Sequence, residues 1–137
     1  MIPMRMPVQP EELRQMGVLN MAHVGDAVYE LLVRTHVAVC DGALKLADQH
    51  RRTIAFVSAP AQAAAIEKLL PRLTEEEHAV YHRGRNARVH GCPAGCTIAE
   101  YHAATALEAL FGWLWLSGKA GRAEELFNHI IGENDAA

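Results

Sequence analysis

Apolar residues recur along this chain at close to the 3.6-residue period of a helix, and no stretch alternates with the two-residue period of a strand. Met21, Val24, Val28, Leu31, Leu32 and Thr35 mark one face of a long helix predicted over Val18 to Val39, which Asp41-Gly42 ends. Gly25 lies inside it. A helical glycine costs about 1 kcal/mol against alanine, so its presence points to a neighbouring backbone in close approach. Pro10 with Glu11 and Glu12 suits the first turn of a short helix through Met16, stopped by Gly17. Ala43 to Arg52 reads as another helix, with His50-Arg51-Arg52 as a basic end favourable to a helix C-terminus. Ser58 is the predicted N-cap of a helix from Ala59 to Leu70, stopped by Pro71. Thr74-Glu75-Glu76-Glu77 and Thr97-Ile98-Ala99-Glu100 are capping boxes that open helices running to about Arg83 and near Gly118. Between them lies a predicted loop, Gly84 to Cys96. Gly121 starts a last amphipathic helix with Ala123, Leu126, Ile130 and Ile131 on one side, and the tail from Glu133 to Ala137 is expected to fray. The expected fold is all-α, a single domain of about seven helices spanning residues 1–137, without repeats or interdomain linker.

With 137 residues and half of them hydrophobic, the chain can bury a substantial core. Its net charge of -3 gives no global basic field, so any nucleic-acid binding must come from local patches. Three cysteines make an odd count in a chain with no evident signal peptide, which predicts a reducing, cytoplasmic location. No apolar run reaches the roughly 18 residues of a membrane span.

Two acids interrupt apolar surroundings. Asp26 breaks Val24-Gly25-Asp26-Ala27-Val28-Tyr29, and Glu108 stands within the apolar stretch from Ala103 to Leu116. A buried unpaired charge neutralises, pairs or binds a metal, so two lone acids on two apolar helices point to a metal site between them. The alternative is that each caps a helix or pairs with an arginine. Glu30 stands four residues before Arg34, the favourable order for a surface ion pair. Small residues flank Glu108 and leave room for water and a cation. Arg83-Gly84-Arg85-Asn86-Ala87-Arg88 forms a basic cluster in an otherwise acidic chain; it reads as a flexible set of phosphate donors or as a solvated basic loop. His90-Gly91-Cys92-Pro93-Ala94-Gly95-Cys96 offers a Cys-x3-Cys pair, a weak zinc signal against the simpler reading of two loop thiols.

Gly25-Asp26-Ala27-Val28-Tyr29-Glu30 resembles the signature helix of the ribonuclease III family. Ala106-Leu107-Glu108-Ala109-Leu110-Phe111-Gly112 resembles that family's second acidic helix, and Arg83-Gly84-Arg85-Asn86-Ala87 resembles the loop between them in Mini-ribonuclease III, its short bacterial branch. The resemblance runs from about Leu19 to Leu126. Ordinary ribonuclease III carries further acids where this chain has Leu19, Ala22 and Thr105; Ala and Thr at the latter two positions resemble the short branch, as does a chain that stops where a double-stranded-RNA-binding domain would begin.

The resemblance implies a ribonuclease III-like catalytic domain and a Mg²⁺-dependent endonuclease acting on double-stranded RNA as a homodimer. In the short branch, this activity trims the ends of the 23S ribosomal RNA precursor. It implies Asp26 and Glu108 as catalytic residues and metal ligands, with Thr105 behind them holding a water. Arg83, Arg85, Asn86 and Arg88 are then the RNA-binding residues. The competing class is a catalytically inactive, ribonuclease III-like module that binds RNA or the ribosome; retention of both acids argues against it.

Overall fold

The computed structural model describes residues 4–89 and 91–135, the side chains of 133–135 excepted. These residues form seven α-helices and no strand. They are α1 (Pro10–Gln15), α2 (Val18–Cys40), α3 (Leu46–Val57), α4 (Ala59–Leu69), α5 (Glu75–Arg85), α6 (Ile98–Leu116) and α7 (Ala120–Asp135), with a 3₁₀ turn at Leu70–Arg72. None is both long and apolar enough to cross a membrane.

The centre of the molecule is α6. It is apolar on nearly every side, as a helix surrounded by others must be, and Ala103 to Leu107 and Ala109 to Gly112 are all buried. Helices α2, α4 and α5 pack around it, and α7 closes the far end. Tyr29, Val33, Ile66, Leu69, Leu107, Leu110, Phe111 and Leu126 share one core, in which the Tyr29 ring meets Phe111 edge-on at 5.1 Å between centroids.

Two glycines fix the crossing of α2 and α6. A Cβ placed on Gly25 would lie 1.6 Å from the Glu108 carbonyl oxygen, and one on Gly112 would lie 1.8 Å from the Met21 carbonyl oxygen. The two backbones therefore touch, which is the close approach that an interior glycine predicts. Gly84 repeats the device on another side: its Cβ would stand 2.8 Å from the Ala106 Cα, so α5 also rests directly on α6.

Both capping boxes form. The Thr74 amide donates to Glu77 Oε1 at 2.9 Å and the Thr97 amide to Glu100 Oε1 at 2.8 Å, and each threonine hydroxyl accepts the return bond. Ser58 caps α4 by accepting from the Ala61 amide. Glu77 is buried and serves twice, because Arg122 grips the same carboxylate at 2.9 and 3.0 Å while also reaching the Arg72 carbonyl.

Four expectations are corrected. Helix α3 begins at Leu46 rather than Ala43 and runs on to Val57, because Asp41 to Leu44 form a turn closed by the Leu44 amide on the Asp41 carbonyl. The basic residues near its middle are held by acids instead of a helix end: Arg52 pairs with Asp41 and Arg51 with Asp48. Helix α5 extends through Arg85, so Arg83-Gly84-Arg85 is helical and Gly84 serves packing rather than flexibility. Helix α7 continues through Asp135, past the point where fraying was expected, and residues 136–137 lie outside the described part.

Candidate active site

The glycine crossing sets Asp26 of α2 against Glu108 of α6. Gly25, which precedes Asp26, is pressed onto the Glu108 carbonyl, and the two side chains leave the crossing on the same side. Glu108 is half-buried. Burial, then the neighbouring Asp26 charge and hydrogen bonding with Asp26, push its carboxyl up to about 8; the Gln62 amide pulls the other way. The expectation of two interred acids is thus met by one: Asp26 is exposed, because α2 turns that side outward beyond the glycine crossing. Among the described residues, no ion pair engages either acid, so the arginine-partner alternative finds no support. Glu30, by contrast, is paired with Arg34 at 3.3 Å.

Glu108 opens on a cavity of ≈ 280 Å³ walled by Ser58, the N-cap of α4, Gln62 of α4, Tyr101 and Ala104 of α6, and the loop from Pro93 to Cys96. Gln62 was not singled out from sequence. It is 2 % exposed, its Nε2 donates to the Val57 carbonyl at 3.0 Å, and its Oε1 has no partner. The available signal was a polar residue on the stripe Gln62, Ala65, Ile66, Leu69, which is the buried face of α4. The Gln62 amide also hydrogen-bonds the Glu108 carboxyl, so α4 contributes a side chain to the site. Thr105, one turn before Glu108, is buried and donates its hydroxyl hydrogen to the Tyr101 carbonyl at 3.0 Å.

A family model for the ribonuclease III domain matches residues 19–119, which takes in both acids and the cavity. The chain belongs to the ribonuclease III family. It is 45% identical over 108 residues to the Mini-ribonuclease 3 of Symbiobacterium thermophilum, covering 79% of this chain and 82% of that one. It is 40% identical over 129 residues to the Mini-ribonuclease 3 of Desulfitobacterium hafniense, covering 92% and 81%, and 39% identical over 122 residues to that of Enterococcus faecalis, covering 88% and 92%. A crystal structure of a Fusobacterium nucleatum protein superposes with a TM-score of 0.80 at 28% identity, over 90% of this chain and 98% of that one. This ribonuclease III-type chain is accordingly an endoribonuclease of the short branch, with the all-helical fold its sequence predicts.

Where ordinary ribonuclease III has additional acids, the side chains here point to other tasks. Leu19 is exposed, Ala22 packs with Val80 and Ala109, and Thr105 is bonded within its own helix. Among the described residues, no third His, Cys, Asp or Glu joins Asp26 and Glu108. The basic cluster is anchored. Arg83 donates to the Met16 carbonyl at 3.0 Å and Arg85 to the Ala99 carbonyl at 3.2 Å, each retaining further N–H groups. Asn86 is the exposed C-cap of α5, and Arg88 is exposed in the segment that follows.

Cys92 and Cys96 stand with their sulfurs 3.3 Å apart, and the hydrogen bond with Cys92, then burial, push the Cys96 thiol above its ordinary range. His90, the other member of the suspected zinc set, lies outside the described residues. On the opposite side of α2 an apolar groove of ≈ 550 Å³ is lined by Val24, Ala27, Val28, Leu31, Leu32 and Trp115. Leu31 is 64% exposed and Trp115 43%.

Proposed function

We propose that this endoribonuclease hydrolyses double-stranded RNA with Asp26 and Glu108 jointly holding Mg²⁺, that it acts as a cytoplasmic homodimer, and that its substrate is the end region of the 23S ribosomal RNA precursor. The observation that carries the metal reading is the acid pair itself. Glu108 is raised to about 8 against an uncompensated neighbour, and a cation is the partner that relieves this. The donors are hard oxygens, the class that Mg²⁺ takes, and a pair of carboxylates leaves the rest of its shell to water and phosphate. When bound, such an ion would lower the pKa of a coordinated water, easing its conversion to a nucleophile, and would offset charge on the leaving oxygen.

The chain's own residues do the rest. Asp26 and Glu108 would hold the ion between two helices that cannot slide, because their backbones touch. Thr105 orders a water beside the acids through the oxygen lone pair that its bond to Tyr101 leaves free. Arg83, Arg85, Asn86 and Arg88, at the end of α5, bind the RNA backbone through the donors not used on carbonyls. A-form RNA is read largely by its shape and its phosphates, which suits a site with few base-reading groups. The apolar groove on the other side of α2 is the surface for a second copy, since an exposed apolar patch rimmed by polar residues marks an interface; two such sites cut both strands.

The test is Glu108→Gln and Asp26→Asn, each assayed for cleavage of a long RNA duplex in Mg²⁺ and for binding in Ca²⁺. Cleavage is lost and binding stays within a few-fold. Because Glu108 holds its proton up to about 8 in the metal-free protein, Mg²⁺ affinity of the parent rises as pH approaches that value and flattens above it, while Glu108→Gln shows no such rise. Cleavage by Glu108→Gln at near the parent rate sinks the mechanism. Duplex binding without any cleavage by the parent favours the inactive-module reading.

A further inference from the structure

The loop between α5 and α6 holds chemistry that the nuclease reading leaves unused. Cys92 and Cys96, both half-buried, face one another at 3.3 Å between sulfurs. Among the described residues, their other hydrogen bonds are to backbone: Cys92 Sγ lies 3.3 Å from the Cys96 carbonyl and 3.5 Å from the Pro93 carbonyl, and Cys96 Sγ lies 3.6 Å from the Pro93 carbonyl. The turn is shaped by Gly91 and Gly95, at φ +79° and +94° in the left-handed region. A disulfide bond is about 2.05 Å long, so the two sulfurs need to close by little more than 1 Å, within reach of side-chain rotation. The third thiol, Cys40, is exposed at the end of α2 beside His36 and has no cysteine next to it.

Cys96, one of the pair, is part of the site's wall, and Cys92 stands behind it. Pro93 to Cys96 line the cavity on which Glu108 opens, and Cys96 directly precedes Thr97, the N-cap of the helix that carries Glu108. In the dithiol form the turn is held by weak S–H bonds. A covalent link removes both S–H donors and fixes the wall.

We propose that Cys92 and Cys96 form a reversible intramolecular disulfide that stiffens this wall and slows RNA cleavage. With hydrogen peroxide as oxidant, two thiols lose two electrons and two protons, one S–S bond forms, the peroxide O–O bond breaks, and two waters leave. With a small-molecule disulfide, one cysteine thiolate attacks it and expels a thiolate; the second cysteine then displaces the other half, so two small thiols leave for one S–S bond formed. In a reducing compartment the dithiol prevails, and the bond appears only as the oxidant rises, the behaviour of a sensor rather than of a structural bridge.

The rate effect rests on the nuclease reading; the bond does not. The experiment treats the full-length protein with hydrogen peroxide, removes the peroxide with catalase, and measures free thiols, peptide masses and cleavage of a duplex RNA in Mg²⁺. Free thiols fall from three to one, the bond maps to Cys92 and Cys96, and dithiothreitol restores all three. Cleavage slows about tenfold, the scale of a small misplacement beside reacting atoms, and recovers on reduction. Cys92→Ser cuts at the parent's reduced rate with or without peroxide. A thiol count that stays at three, or a bond that maps to Cys40, overturns the proposal, and so does a Cys92–Cys96 bond that leaves the rate unchanged. Failure of the nuclease reading looks different: the reduced protein then cuts no duplex at all, while the thiol count still decides the bond.

Discussion

Gly25→Ala tests whether the helix crossing that builds the fold also builds the site. The added Cβ would sit 1.6 Å from the Glu108 carbonyl oxygen, 2.5 Å from its carbon and 2.7 Å from the Gly112 nitrogen. All three are backbone atoms, so no side-chain rotation relieves the clash. Approaches of a real Cβ below 3.0 Å essentially do not occur, so α2 and α6 must part by at least about 1.4 Å. A gap of that order forfeits a quarter to a half or more of the dispersion between the facing side chains, among them Met21, Tyr29, Leu107 and Phe111. Overpacking costs typically 1–3 kcal/mol, and with backbone on both sides the upper end applies; alanine's better helix propensity returns about 1 kcal/mol. The net loss is about 2 kcal/mol, or roughly 8 °C of melting temperature for a domain of this size. Because the parting occurs between the residues next to Asp26 and at Glu108, cleavage falls by about a hundredfold or more even where the protein is folded. The assays are thermal unfolding and duplex cleavage well below the midpoint, with Gly121→Ala as control, where a Cβ meets nothing within 4 Å. A Gly25→Ala protein with the parent's midpoint and the parent's cleavage rate would refute the reasoning.

Arg122→Ala leaves Glu77 buried without its cation and lowers stability by about 3 kcal/mol at pH 7, read by urea denaturation. Burial raises the Glu77 carboxyl, but the hydrogen bonds from Arg122 and Thr74 outweigh it and hold it below 4.5; the pair's contribution is therefore full above that pH and is lost as pH falls through the depressed value, so parent and variant converge in acid. Leu31→Glu charges the exposed apolar groove, and light scattering at micromolar concentration then gives the mass of one chain where the parent gives two; a parent that is itself monomeric ends the dimer reading. Replacing Arg83 and Arg85 with Ala weakens duplex binding and flattens its salt dependence by roughly one unit of log–log slope for each phosphate left without its arginine, and an unchanged slope removes the end of α5 from the RNA surface.

Much of the architecture was legible because its signals are local. A threonine with a glutamate three residues on is a complete description of a capping box, and both boxes formed where the sequence wrote them. Gly25 announced a close approach because nothing else justifies a glycine within an apolar helix. The misreadings came where two local causes predict the same pattern. His50-Arg51-Arg52 looks like a helix end, yet Arg52 reaches an acid eleven residues earlier, a partner that periodicity does not reveal. Gly84 between two arginines looks like a hinge, and only the position of Ala106, distant in sequence, turns it into a packing glycine. Gln62 escaped notice for the same reason: its orphaned oxygen is defined by what surrounds it in three dimensions.

The distribution of burial between the acids explains why one helix pair can serve both fold and chemistry. Were Asp26 and Glu108 equally interred, each would favour its proton and the pair would lose its pull on a cation. Here α2 is pinned to α6 by a glycine on the residue before Asp26, so the backbone is as close as atoms allow while the Asp26 side chain remains in water. Glu108 is the half-buried member, and the cavity lined by Gln62 lies on its side. Exposure keeps one acid available to whatever arrives from solvent, and partial burial makes the other gain most from its arrival. A glycine-to-glycine crossing supplies that asymmetry without a third acid, which is consistent with Ala22 and Thr105 standing where longer relatives place carboxylates.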